Sequence, residues 1–569
     1  MGRTEAQPTP RVAIIRFMRA VSGAAFTFFL VLSCATAQPV IYPRGIASAA
    51  TYAPFGLPNG PIARGSIFSV FGTGLGPAAP AQVSQFPLQT TFSGVSVTIT
   101  QGSTQVSAIP IYATAGQLNV LMPSNAPLGA ASLRVTYNGT ASNASPVQIQ
   151  NNSFGFFLLS GGTAGPGALL NFIASDNQPF NSLLVSAKPG QVVTAYGTGL
   201  GPVAADNVAP TPVSLPFPVQ VFVGGQSATV AYSGRSPCCS GLDQIVFTVP
   251  ASAPSGCWVP VYAMVGGVTS NFATMAIGPN GGACSEPSIA DAAGFIKGGK
   301  IGTLRLFRTN THEDIGTRAP LDVTTDHFLY DFAAPASDQF AYASLFSQPP
   351  AGTCNVLSGS GDLFGGIVAP PTPAKIPRRL DGGVNFTLTG PRGSLPIAVP
   401  APTPAVQIGR SGPSGLLPNQ LYLDPGSYTL QSSGGADVAS FSIPLTVAAP
   451  FSWTNRDQLS GIDRTQALTL NWSGLAADQT MLILGGNVDL PTNSSALFYC
   501  IAPAGASSFT IPASVLAAVP ATRSNVLQSK GAIYIGNIAP SDGKPFTAPG
   551  LDSALAVTGF LSGKTVTFR

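Results

Sequence analysis

The sequence predicts an all-β, turn-rich protein, and three observations carry that prediction. Of 569 residues, 64 are glycine and 53 are proline, the two residues that interrupt regular elements. Only 8% of residues are charged, against a usual share of about 25%. Glutamate occurs three times and lysine seven times, whereas helix surfaces are normally filled with both. The 45% hydrophobic share excludes disorder driven by charge. Glycine has no three-residue period, which excludes a collagen helix. The length allows about three or four domains.

Residues 1–37 read as a secretory signal peptide. Arg11, Arg16 and Arg19 form a basic segment, an apolar stretch runs from Ala24 to Leu32, and Ala35-Thr36-Ala37 is a small-residue cleavage site before Gln38. The apolar stretch is shorter than the roughly 20 residues of a transmembrane helix. Two other readings compete: a lipoprotein signal with lipid on Cys34, and an uncleaved anchor. No later segment runs 18 apolar residues without a polar or proline break, so no membrane span is expected after the leader. The leader holds four of the 26 basic and one of the 22 acidic residues, so its removal turns a net charge of +4 into +1. Nucleic-acid binding needs a cluster of cations to displace counterions. The chain shows no such cluster, and no nucleic-acid partner is expected.

Six cysteines follow the leader: Cys238, Cys239, Cys257, Cys284, Cys354 and Cys500. An even number in an exported chain predicts disulfides. Neighbouring cysteines rarely bond each other. Cys238 and Cys239 are therefore expected to take one each of Cys257 and Cys284, in an order the sequence leaves open. Cys354 with Cys500 would be a long-range staple. The C-x₂₋₄-C spacings of a zinc site are missing.

An internal repeat organises the first half. Gly65-Ser66-Ile67-Phe68-Ser69-Val70-Phe71-Gly72-Thr73-Gly74-Leu75-Gly76-Pro77 matches the stretch from Gly190 to Pro202 at an offset of 125. Val95–Ile99 matches Val219–Val223 at 124, Gln117–Pro123 matches Gln244–Pro250 at 127, and Ser142-Asn143 matches Ser270-Asn271 at 128. Four blocks in one order imply two copies of one domain. Val95, Val97 and Ile99 alternate with Ser96 and Thr98, the period of a half-buried strand, and Val219, Val221 and Val223 repeat it. Asn138-Gly139 and Gly266-Gly267 are hairpin-turn dipeptides. Short strands between frequent turns indicate a sandwich. Gly-Thr-Gly-Leu-Gly-Pro has neither the spacing nor the following helix of a dinucleotide fingerprint, so it reads as a structural turn.

These blocks, in this order, resemble the immunoglobulin-like IPT/TIG group, and in particular a branch found in tandem in exported bacterial proteins. Cys238-Cys239-Ser240-Gly241-Leu242-Asp243-Gln244-Ile245 and Ser255-Gly256-Cys257-Trp258-Val259-Pro260 strengthen the resemblance, which covers residues 45–285. It implies tandem immunoglobulin-like β-sandwiches used for spacing or binding at the cell surface, and it transfers no catalytic residue. Only nine charged side chains fall between Gln38 and Pro287, so Ser, Thr, Asn, Gln and Gly must cover the exposed faces.

The resulting division is a leader (1–37), Ig-like repeat 1 (38–150), Ig-like repeat 2 (151–287), a β-rich domain with a linker (288–448) and a sandwich-like domain (449–569). Proline-rich stretches at 368–373 and 396–404 read as extended linkers. Strand signals lie at Phe386–Thr389, Ser427–Leu430, Phe441–Val447 and Leu468–Ser473. A short helix is expected over Ser514–Ala518, after Pro512.

Two constellations carry candidate chemistry. His312, Glu313, Asp314, Asp322, Asp326, His327 and Asp331 have the residue types of a metal or acid–base site. They lack the H-E-x-x-H spacing and read as a solvated polar loop. Trp453 and Trp472 are the candidate binding aromatics, as platforms for a sugar ring. Against this, Trp472 alternates in step with Leu468 and Leu470, as a core residue would. The expected function is non-catalytic: an exported surface or extracellular protein, adhesive, binding or spacing, that meets a protein or glycan and holds no cofactor or metal. The alternative is a polysaccharide-active enzyme or carbohydrate-binding accessory protein with its site in the C-terminal half. An enzyme would need two carboxylates about 5–10 Å apart in a cleft, drawn from Asp322, Asp326, Asp331, Asp457 and Asp463.

Overall fold

A computed structural model describes residues 38–161, 163–285, 299–313, 321–334, 348–360, 378–399, 405–411, 420–523, 529–538 and 542–569. The leader with Cys34, the linker at 286–298, Asp314 and the proline-rich stretch at 368–373 lie outside the described residues, as do 400–404 of the second such stretch.

The two copies share one strand plan. In repeat 1, strand Thr104–Ala113 pairs with Val95–Gln101 through its first half and with Gln117–Leu121 through its second. The register shifts between Pro110 and Tyr112. In repeat 2, strand Gln226–Arg235 pairs with Val219–Val223 and then with Asp243–Thr248, shifting between Val230 and Tyr232. An extra residue at a bulge bends a strand and lets it pass from one sheet to the other. Each copy is therefore a sandwich whose two sheets share one long strand. The alternating valines fill the interiors: Val95, Val97 and Ile99 in one, Val221 and Val223 in the other, all fully buried. Asn138 and Gly139 sit at φ 47° and 82°, and Gly266 and Gly267 at 53° and 86°. Positive φ at both central residues defines the hairpin turn whose twist suits the strands.

The Ser-Asn blocks act as clamps. In repeat 2, the Asn271 side-chain oxygen accepts the Phe156 N–H (2.8 Å), and its amide donates to the Phe156 carbonyl (3.0 Å). Asn143 holds the N–H and carbonyl of Ile41 in the same way, at 2.8 and 3.2 Å. One amide thus replaces a strand partner for the first strand of each sandwich. The serine hydroxyls accept the N–H of Val135 and Ala263, both at 3.0 Å.

In the C-terminal half the division near 448 gives way. One sheet runs Thr353–Ser360, Ser494–Ala502, Met481–Asp489, Ser529–Gly536, Ser553–Phe568, Ile301–Glu313, Leu321–Ala334. Four adjacent strands from 449–569 are flanked on both sides by strands from 288–448, so the two stretches are not independent domains. The joint is the parallel pairing of Ile301–His312 with Ser553–Lys564. Phe441–Val447 belongs to a separate four-stranded sheet with Asn385–Gly390, Gly393–Ala398 and Gly426–Ser432. Its residues alternate buried and exposed, as the sequence indicates. The short helix is Ala513–Ala517. One apolar core joins Ala53 and Leu57 of repeat 1, Tyr262 and Phe272 of repeat 2, and Trp453, Trp472, Phe498 and Phe568.

Candidate functional site

The glycine-rich loop of repeat 2 does cradle an anion, and the anion is part of the chain. The N–H groups of Gly199 and Leu200 each donate to Asp243 Oδ2 at 2.8 Å. Arg235 Nη1 donates to Asp243 Oδ1 at 2.6 Å, and Nη2 to the Gly201 carbonyl at 3.2 Å. Both side chains are buried. Burial pushes the Asp243 carboxyl up to about 6, while Arg235 and the two N–H groups pull the other way; at neutral pH they therefore hold a carboxylate. In repeat 1 the aligned position is Gly116. There the Gly72 and Leu75 N–H groups bond the carbonyls of Gly116 and Ala115, at 3.1 and 3.0 Å. The loop is a structural turn in both copies. The sequence offered a signal for the pair: two of the nine charges in the repeats lie eight positions apart, one on each side of the Cys238-Cys239 turn.

The cysteine pairing differs from the expected one. Cys238 bonds Cys239, and Cys257 bonds Cys284 with Cα atoms 5.5 Å apart. The reason is distance along the sandwich. Cys238 and Cys239 sit in the turn before strand Asp243–Thr248, and Cys257 opens the strand after it. Six extended residues put about 20 Å between them, beyond the Cα separation a disulfide spans. Cys354 and Cys500 face each other on paired antiparallel strands and are bonded. Cys238 and Cys239 are exposed, whereas the other four are buried.

Neither tryptophan offers a platform. Trp453 and Trp472 stand opposite each other on paired strands, and both are buried in the shared core. The ring N–H of Trp453 donates to Asn455 Oδ1 (3.0 Å) and that of Trp472 to the Ala506 carbonyl (2.7 Å). A sugar-stacking role for these two residues is corrected: alternation along Leu468–Ser473 turns Trp472 inward with Leu470.

Among the candidate acids, Asp322 and Asp457 both pair with Arg456, at 3.9 and 3.0 Å. Asp326 is fully buried and accepts both Arg308 Nε (2.7 Å) and Nη2 (3.1 Å). It also accepts the N–H of Tyr422 and of Leu423. Asp322, Asp331, Asp457 and Asp463 are exposed. His312 Nδ1 lies 3.1 Å from Asp322. His327 stacks on Phe307 with ring centres 5.1 Å apart, and burial lowers its pKa against the pull of Asp326. Among the described residues, no group of three or more His, Cys, Asp or Glu is placed to hold a metal ion.

A different surface emerges in repeat 2. The offset between copies is 115 at the clamped residues, Ile41 and Phe156, and 125 at Gly65 and Gly190. Repeat 2 therefore carries ten extra residues before its glycine loop. They build a hairpin in which Leu170 bridges Phe180. Its base is fixed by two buried asparagines. Asn181 donates to Asn171 Oδ1 (3.2 Å) and the Ala276 carbonyl (2.9 Å), and accepts the Ala276 N–H (2.7 Å). Asn171 donates to the Val185 carbonyl (2.9 Å). On this base Phe172, Ile173, Phe180 and Leu184 are 43%, 57%, 53% and 42% exposed. Phe172 and Phe180 share a face as diagonal neighbours across the hairpin. Four large apolar side chains held outward on a braced loop are a surface built for contact rather than for the core. Sequence reasoning missed them because the hairpin falls outside the matched blocks. The jump in offset was the available signal.

No protein-family model matches the chain, and no curated protein matches it. Among solved structures it is similar to the full extracellular region of plexin A4, at 15% identity and a TM-score of 0.17 over 44% of this chain and 19% of that one. It thus spans about a fifth of the plexin chain. It is also similar to the I9–I11 tandem of titin, at 7% identity and 0.12 over 68% and 94%. A third is the Bacteroides ovatus SGBP-B of a mixed-linkage glucan utilization locus, in complex with a mixed-linkage heptasaccharide, at 13% identity and 0.12 over 80% and 82%. At such scores no role of these proteins passes to this chain.

Proposed function

We propose that the chain is an exported, non-catalytic binding protein that meets a protein or glycan partner at the cell surface through the repeat 2 hairpin. The observation that supports this most is the outward set of Phe172, Ile173, Phe180 and Leu184 on a base fixed by Asn171 and Asn181. The tandem sandwiches, which we assign to the IPT/TIG type, serve as the scaffold. Three disulfides fit an oxidising compartment. No helix among the described residues is long and apolar enough to cross a membrane.

The test is binding of the purified full chain to intact cells of the source organism and to a glycan array, against the Phe172→Ser/Phe180→Ser variant. Burying an exposed phenylalanine contributes about 1.5–3 kcal/mol, so the variant is expected to bind at least about tenfold more weakly, with an unchanged melting temperature. Array signal assigns a glycan partner; loss of cell binding after protease treatment of the cells assigns a protein. Equal binding by variant and wild type sinks the reading.

A further inference from the structure

The two sandwiches meet around a cleft of about 370 Å³. Leu121 of repeat 1 forms one wall. The loop 202–216 of repeat 2, with Val213 and Leu215, forms another, and the turn at Ser240 closes the end. Its walls are fixed. Asp206 accepts the N–H and the hydroxyl of Ser124 across the junction, both at 2.7 Å. The Ser124 hydroxyl in turn accepts the Val203 N–H at 2.9 Å, and the Leu88 N–H reaches the Asn207 carbonyl at 2.8 Å. On the far side, Thr198 donates to the Gly241 carbonyl (2.6 Å) and accepts the Ile67 N–H (2.9 Å). The cleft is thus pre-formed, of ligand-site size and mostly apolar.

Its charges do not balance. Arg235 is the cation in the lining, and its guanidinium is already paired with Asp243. Asp206 has no cation within ion-pair distance among the described residues; its hydrogen bonds go to Ser124 alone. One carboxylate without an ion-pair partner therefore lines a mostly apolar cleft. A carboxylate in such a setting favours a cation, and a charge-assisted N–H donor most of all.

We propose that this cleft binds a small organic amine, with its ammonium on Asp206 and its hydrocarbon body against Val208, Val213 and Leu215. The site is separate from the repeat 2 hairpin and does not depend on it.

Phenethylamine serves as the probe, with 2-phenylethanol and 3-phenylpropionate as neutral and anionic counterparts, titrated against the full chain by NMR. The amine should bind saturably and at least about tenfold more tightly than the alcohol, the scale of one charge-assisted hydrogen bond. The acid should not bind. Asp206→Asn should erase the preference for the amine. That change also removes an acceptor from Ser124, so a second variant is needed. Val213 is half-exposed, and Val213→Trp should fill the cleft and abolish binding without disturbing the core. Equal affinity for amine and alcohol, an undiminished preference in Asp206→Asn, or no saturable amine binding would overturn the proposal.

Discussion

Replacing Asp243 with alanine is expected to cost repeat 2 about 3–5 kcal/mol, the cost of breaking a buried ion pair by removing one partner. The mechanism is local. Arg235 would stay buried with no counter-charge, and the N–H groups of Gly199 and Leu200 would lose their acceptor. Repeat 1 shows what the pair replaces, because there backbone carbonyls at Ala115 and Gly116 satisfy the loop. The double change Arg235→Met/Asp243→Leu should recover the charge penalty but leave the two N–H groups unpaired, and so fall between the single variant and wild type. Denaturant unfolding followed by hydrogen exchange in strands Val192–Thr198 and Asp243–Thr248 reads the effect. A single variant within about 0.5 kcal/mol of wild type, the range of an ordinary surface change, would refute the cradle.

Deleting residues 553–569 should abolish folding of the C-terminal half while both repeats remain folded. Strand Ser553–Phe568 lies between Ser529–Gly536 and Ile301–Glu313, pairing antiparallel with one and parallel with the other. It buries Leu555, Val557, Phe560, Val566 and Phe568. At about 1.5–3 kcal/mol per large apolar side chain, the loss reaches the roughly 5–15 kcal/mol that holds a typical domain together. The repeats keep their own cores. Limited proteolysis should leave a resistant fragment ending near Cys284. A truncated chain that still protects Met481–Asp489 and Ser494–Ala502 would show that the shared sheet is not one cooperative unit.

The repeats were legible where a strand has one wet and one dry face, so Val95–Ile99 and Val219–Val223 carry their fold as alternation. The Ser-Asn blocks were legible as a repeat, but their clamp was not, since it joins residues about a hundred positions apart. The C-terminal half was read only in part for the same reason. Phe441–Val447 and Leu468–Ser473 alternate and were found. Ser553–Phe568 is buried along most of its length, so it shows little alternation, and nothing local marks it as the partner of Ile301–Glu313. The vicinal cysteines show a further limit. Pairing preference pointed away from Cys238–Cys239, while the length of strand Asp243–Thr248 excluded every other partner in repeat 2. The proposed contact surface was least legible, because the hairpin bearing Phe172 and Phe180 is what one copy has and the other lacks.

The central claim is an exported, disulfide-braced pair of sandwiches carried on a common C-terminal half. Peptide mapping of the non-reduced protein, purified from its source, tests it most directly. The expected result is an N-terminus at Gln38 and three cross-links, Cys238–Cys239, Cys257–Cys284 and Cys354–Cys500. A retained leader with six free thiols, or a cross-link from Cys238 or Cys239 to Cys257 or Cys284, would contradict it.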